Sequence, residues 1–150
     1  MKFKFLIPIF FSVVIGFIFG RLIFNQYENT NTTFGDGERL YFIQVGVYSN
    51  MDSMQEDFKD VDDYLYLIEN NAYHLYVGIT KNEKIATKIE GYYREKGNNI
   101  YIKEKMVNNP EFTTLLGEYD KILDITSKDT DIEIVEKVVL ASYKEMVLQE

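Results

Sequence analysis

The sequence predicts an α+β domain built on a four-stranded antiparallel sheet, in the chain order βαββαβ, with two helices on one face. One transmembrane helix is expected before it and a helical C-terminal extension after it. Three observations predict this. Runs of strict apolar alternation are separated by stretches with helical spacing. The segment Tyr41-Phe-Ile-Gln-Val-Gly-Val lines up with Tyr73-His-Leu-Tyr-Val-Gly-Ile at an offset of 32 residues, and Asn50 lines up with Asn82 at the same offset. An uncharged apolar run, Phe5 to Gly20, stands at the N-terminus.

That run is almost entirely Phe, Ile, Leu and Val, with Lys2 and Lys4 before it and Arg21 after it. Phe3 to Phe24 is 22 residues, which at about 1.5 Å per residue crosses a hydrocarbon layer roughly 30 Å thick. Lys4 and Arg21 stand where long cationic side chains reach back to the headgroups. A cleaved signal peptide asks for small residues before the cut, and Phe17, Ile18 and Phe19 occupy that place. An uncleaved anchor over residues 1–24 is therefore expected ahead of a signal peptide or a buried core helix. Lys2 and Lys4 put the N-terminus inside the cytoplasmic membrane and the remainder outside. Residues 25–39, polar and rich in Asn, Thr and Gly, read as a flexible linker.

The domain is expected over residues 40–106. Tyr41, Ile43, Val45 and Val47 alternate with Phe42, Gln44, Gly46 and Tyr48, which makes a strand. Ser49 to Val61 carries Met51, Met54, Phe58 and Val61 at helical spacing. Tyr64 to Ile68 and Ala72 to Ile79 are strands joined by Asn70-Asn71, residues that accept the positive φ of a tight turn. Thr80-Lys-Asn-Glu83 reads as a capping box opening a helix to about Lys96, with Gly97 as its left-handed stop. Asn99 to Lys105 is the fourth strand. Residues 107–150 read as the helical extension: a short helix from Pro110, an ambiguous stretch from Tyr119 to Ile125, and a helix opened by a second capping box, Thr130 to Glu133.

Charge and chemistry narrow the function. The formal net charge is −8, and the three basic residues before Asn25 leave −11 for the rest. So acidic a domain repels nucleic acid and anionic lipid. No cysteine is present, which excludes disulfides and thiolate metal sites. His74 is the sole histidine, and no zinc-protease, phosphate-loop or dinucleotide motif occurs. The run Asp60, Asp62, Asp63 reads as a solvated turn ahead of either a glycosidase pair or a calcium loop. No catalytic residue, metal or cofactor is expected, and the chain reads as a binding protein. If Ile43, Val45, Val47, Leu65, Leu67, Leu75 and Val77 face the helices, the other face stays open. It then presents Phe42, Gln44, Tyr48, Tyr64, Tyr66, His74, Tyr76, Tyr101 and Lys103. Tyrosine rings with amide and imidazole groups suit the apolar faces and polar edges of sugars. Against this stands the strand propensity of tyrosine and a C-terminal segment long enough to cover the face.

Ile43-Gln-Val-Gly-Val-Tyr48, a helix, Tyr73-His-Leu-Tyr-Val-Gly-Ile79, a second helix and a final strand resemble a SPOR domain over about residues 40–106. The resemblance implies an RNP-like βαββαβ fold outside the cytoplasmic membrane, binding peptidoglycan glycan strands in cell division or sporulation. It implies a ligand surface on the open sheet face, here Gln44, His74, Tyr76, Tyr66 and Tyr101, with division or sporulation membrane proteins as further partners. Two departures stand out: His74 and Tyr76 occupy third-strand positions where many members carry arginine, and Ile79-Thr80 replaces a Pro-Phe. The alternative expectation is a protein–protein scaffold acting through the sheet face or the C-terminal helix.

Overall fold

The computed structural model describes residues 37–59 and 63–149. The predicted anchor and most of the linker lie outside the described residues, as does Val61 at the expected end of the first helix. Among the described residues no helix is long and apolar enough to cross a membrane. Strands β1 (Glu38–Tyr48), β2 (Leu65–Glu69), β3 (Ala72–Thr80) and β4 (Tyr101–Val107) form one antiparallel sheet in the spatial order β2-β3-β1-β4. Helix α1 (Met51–Asp57) follows β1 and α2 (Glu83–Glu95) joins β3 to β4. Helices α3 (Pro110–Ile125) and α4 (Asp129–Tyr143) follow β4, and a π-helical turn, Lys144–Leu148, continues α4.

Turns and caps explain most element boundaries. Asn70 and Asn71 hold φ of 51° and 61°, the left-handed pair that a two-residue hairpin of native twist requires. Gly97 takes φ 89° just past α2. Both expected capping boxes are absent. Asn82, not Thr80, caps α2, its Oδ1 accepting from the Lys84 N–H at 2.9 Å. Thr80 ends β3 instead, and its hydroxyl donates to Asp120 of α3 at 2.6 Å. A buried carboxylate is the stronger partner for that hydroxyl, and it arrives from forty residues away. Helix α4 likewise starts before Thr130 and has no side-chain cap. Residues 110–125 make a single helix, with Pro110 in the first turn and Asn109 accepting from the Phe112 N–H at 2.9 Å.

Helix α2 packs on β1, β3 and β4 and buries Ile85, Ala86, Ile89 and Tyr92. The larger departure from expectation lies at the face that was to stay open. Phe42 meets Tyr76 edge-on at 5.4 Å between ring centroids and Tyr143 of α4 at 5.5 Å, and Phe112 of α3 meets Tyr143 at 5.3 Å. Phe42, Tyr76 and Phe112 are buried, as are Ile132, Val135, Val139 and Leu140 of α4. Alternation leaves apolar residues on both faces of β1, and covering a side chain the size of Phe42 gains about 1.5–3 kcal/mol. The described residues belong to one compact unit, so helices α3 and α4 complete the domain expected over residues 40–106 and share its core.

One polar contact fixes α4 against the sheet. The β2 ladder stops at Tyr76, so β3 has an unpaired outer edge beyond it. Glu136 fills that edge, its Oε2 accepting from the Ile79 N–H at 2.8 Å. Gly78 makes room, because a Cβ there would lie 2.8 Å from the same oxygen. Burial, and after it the nearby Asp120 charge, raises the Glu136 carboxyl well above the usual carboxylate range, with the Ile79 N–H opposing.

Candidate functional site

Strand register decides which of the five expected ligand residues share a surface. Gln44 of β1 lies opposite Tyr76 on one side and opposite Tyr101 on the other. His74 joins them, its Nδ1 3.2 Å from Gln44 Oε1. Four of the five therefore lie together. Tyr66 does not. On β2, Leu65 is opposite Tyr76 and Leu67 is opposite His74, whereas Tyr66 is opposite Leu75. Directly opposed residues share a face, so Leu65 and Leu67 lie with the expected site and Tyr66 lies on the reverse side. A second reversal affects β1. Its ladder to β3 is irregular on either side of Gln44, and beyond that point Val47 is opposite His74 and 50% exposed. One extra residue in a strand flips the faces that follow it. Val47, expected to face the helices, thus stands beside His74, while the Tyr48 ring packs edge-on to Phe58 at 6.2 Å.

Exposure then divides the face. Gln44 is 4% exposed and Tyr76 is fully buried, so neither presents a surface to a ligand, contrary to expectation. The uncovered strip consists of Tyr101 at 59% exposure, exposed Lys103 and Val47, and half-buried His74 and Leu67. Gln44 serves this strip from below. With the Gln44 amide oxygen as acceptor, Nδ1 of His74 is the donor, and the contact fixes the orientation of the ring. The strip offers one aromatic face, one oriented imidazole and one cation.

Lys105 and Glu69 close the boundary between the covered and uncovered parts. They form an ion pair that bridges β4 and β2 over the sheet, and the ammonium lies 5.9 Å from the Phe42 ring centroid and 5.4 Å from that of Tyr76. Burial works against the Lys105 charge, but Glu69 and Tyr76 outweigh it and raise its pKa. The lysine therefore stays charged at neutral pH.

A shallow cleft of about 420 Å³ opens where β3 runs into α2, lined by Lys81, Asn82, Gly117, Asp120 and Lys121 among others. Two of its charged side chains, Asp120 and Lys81, serve the fold. Asp120 accepts from the Thr80 hydroxyl and from the Lys81 N–H at 3.0 Å, and Lys81 pairs with Glu38 at 2.6 Å. Among the described residues no group of three His, Asp or Glu side chains is placed to hold a metal ion. No family model, no curated protein and no solved structure matches the chain.

The Tyr66 assignment had a signal in the sequence. A two-residue turn at Asn70-Asn71 pairs Glu69 with Ala72, and counting outward pairs Leu65 with Tyr76. The burial of Gln44 and Tyr76 and the roles of Glu136 and Asp120 had no local signal, because each depends on helices later in the chain.

Proposed function

We propose that this chain is a single-pass membrane protein with its N-terminus inside and its folded domain outside the cytoplasm. In this reading it binds peptidoglycan glycan strands in cell division or sporulation, without cofactor, metal, nucleic acid or catalysis. The βαββαβ order with β1 and β3 central agrees with a SPOR-like, RNP-like fold. The observation that carries the reading is the uncovered strip. Tyr101, Gln44 and His74 lie on three adjacent strands and leave an aromatic ring and an oriented imidazole facing outward, while the rest of the face is sealed. In this version of the site Tyr101 stacks on a sugar ring, His74 Nε2 accepts from a hydroxyl, and Gln44 holds His74. Tyr76 supports them from the core, and Tyr66 takes no part.

The test is co-sedimentation of residues 38–150, which carry the whole described core, with purified peptidoglycan before and after amidase removes the stem peptides. Binding should rise after amidase treatment, and Tyr101→Ala and His74→Ala should each weaken it by about tenfold. Undiminished binding by both variants would sink the site.

A scaffold role for a division or sporulation complex is the second reading, and one observation favours it. Ile134 and Val138 lie one turn apart on α4 at 61% and 40% exposure, and Ile125 at the end of α3 is 84% exposed. Removing α4 would strip Tyr143 and Val139 from the core, so Ile134→Ser with Val138→Ser is the variant that separates the two. Lost localisation with peptidoglycan binding intact would favour the scaffold.

A further inference from the structure

The face of the sheet carrying α1 and α2 has a surface that neither the fold nor the proposed glycan strip uses. Tyr48, Tyr73 and Ile68 lie directly opposite one another across β1, β3 and β2. Phe58 extends the row at one end, its ring against Tyr48 at 6.2 Å, and Tyr66 widens it at the other, 5.8 Å from Tyr73. Helix α2 packs on β1, β3 and β4, and on β2 Tyr66 and Ile68 remain 38% and 62% exposed. The result is a continuous row of five apolar and aromatic side chains across three strands, with its β2 end open to solvent.

The chain segment that supplies Phe58, Tyr66 and Ile68 is one-sided in charge. From Ser49 to Glu69 the chain has seven acidic residues and one basic residue, Lys59. Asp63 and Glu69 are taken by Lys137 and Lys105. Asp52, Glu56 and Asp57 on α1 are exposed and form no ion pair among the described residues. Asp57 is the last residue of α1 and adjoins Phe58 of the row in the chain; burial, and then the Asp57 charge, raise the Tyr48 hydroxyl pKa. Aromatic faces flanked by unpaired carboxylates attract lysine and arginine, by cation–π contact and by charge. The shape argues against a sugar. The Tyr66 and Tyr73 rings are inclined at 54° and form no flat platform, and the most exposed member, Ile68, is aliphatic.

We infer that the Phe58–Tyr48–Tyr73–Tyr66–Ile68 row docks a basic peptide segment of a partner protein. Apolar side chains of the segment rest on Tyr66, Tyr73 and Ile68, and a lysine or arginine lies over Tyr48 toward Asp57. The surface is separate from the glycan strip, so the chain would hold a partner and the cell wall on opposite faces of one sheet.

The probe is a phage-displayed library of random dodecapeptides, selected on the full chain in detergent micelles. Winners are then synthesised with a fluorescein label and titrated by anisotropy. Selection should enrich lysine or arginine next to apolar residues. The winners should bind Tyr66→Ser with Ile68→Ser at least about tenfold more weakly, and binding should fall with added salt. Both substituted side chains are substantially exposed, so an unchanged melting temperature checks that the variant folds. Tyr101→Ala should bind the winners as the parent does, which keeps this result independent of the glycan test. No enrichment, enrichment of acidic peptides, or equal binding by the double variant would each overturn the inference. So would loss of peptidoglycan sedimentation in that variant, which would make the row a saccharide surface.

Discussion

The two βα halves of the domain start from nearly the same local sequence and end in different surroundings. Val45-Gly46 and Val77-Gly78 are equivalent in the 32-residue offset, and so are Asn50 and Asn82. Both asparagines cap a helix: Asn50 accepts from the Ser53 N–H and Asn82 from the Lys84 N–H, each at 2.9 Å. There the likeness stops. The first helix is seven residues and buries only Met54, while the second is thirteen and buries four. Gly46 lies under the ring of its own strand's Tyr48, whereas Gly78 lies under Glu136 of α4. The repeat thus specifies local structure twice, and the C-terminal helices treat the two copies differently. They cover the second half and leave the end of the first half exposed.

The sharpest way to break this asymmetry is to remove its cover. Tyr143→Ala takes out the ring that joins Phe42 to Phe112, and should cost about 3–5 kcal/mol in urea unfolding, as large aromatic truncations in cores do. A loss below 1 kcal/mol would mean that α4 is an appendage after all.

The second test uses pH. The folded pKa of Glu136 is raised above its unfolded value, chiefly by burial, so the folded state binds the extra proton. Its contribution is fully present below the unfolded carboxylate value near 4.5. It is lost as pH climbs from there toward the raised folded value. Thermal melts of the parent should therefore lose stability across that window, and Glu136→Gln should flatten this part of the profile. The groups around Glu136 are Asp120 of α3, Tyr93 of α2 and the Ile79 N–H of β3. Asp120 is also raised by burial, so a smaller slope of the same sign should survive the substitution. An unchanged slope would remove Glu136 from the account.

The finest comparison is between the two glycines. A Cβ at Gly78 meets Glu136 at 2.8 Å in a buried site, and Gly78→Ala should cost about 1–3 kcal/mol. A Cβ at Gly46 meets the Tyr48 ring at 2.7 Å. Tyr48 is half-buried, and the atoms met are the far end of its side chain, so Gly46→Ala should cost under about 1 kcal/mol. Equal costs from chemical denaturation would say that the two halves are packed alike.

The face that each residue occupies is less legible in the sequence than the elements themselves. Periodicity placed four strands and both helices of the βαββαβ order within a few residues. The left-handed positions at Asn70, Asn71 and Gly97 followed from residue type. The site was only partly legible. Gln44, His74 and Tyr101 share a face as expected, but the irregular ladder at Gln44 moved Val47, and register carried Tyr66 to the reverse side. A capping box that looked complete at Thr80 yielded to Asp120, because sequence spacing cannot show a competing acceptor forty residues away.

What the sequence by itself determined is therefore whatever depends on a few neighbouring residues: strand alternation, the Asn-Asn turn, the paired asparagine caps and the acidic balance. Tertiary structure alone decided which sheet surface meets solvent. Both faces of β1 are apolar enough to be buried, and local pattern cannot rank them. The choice was made where α3 and α4 place Phe112, Glu136 and Tyr143 against Phe42 and the free edge of β3. Hydrophobic burial is non-directional, and it rewards covering whichever apolar face a distant segment is able to reach.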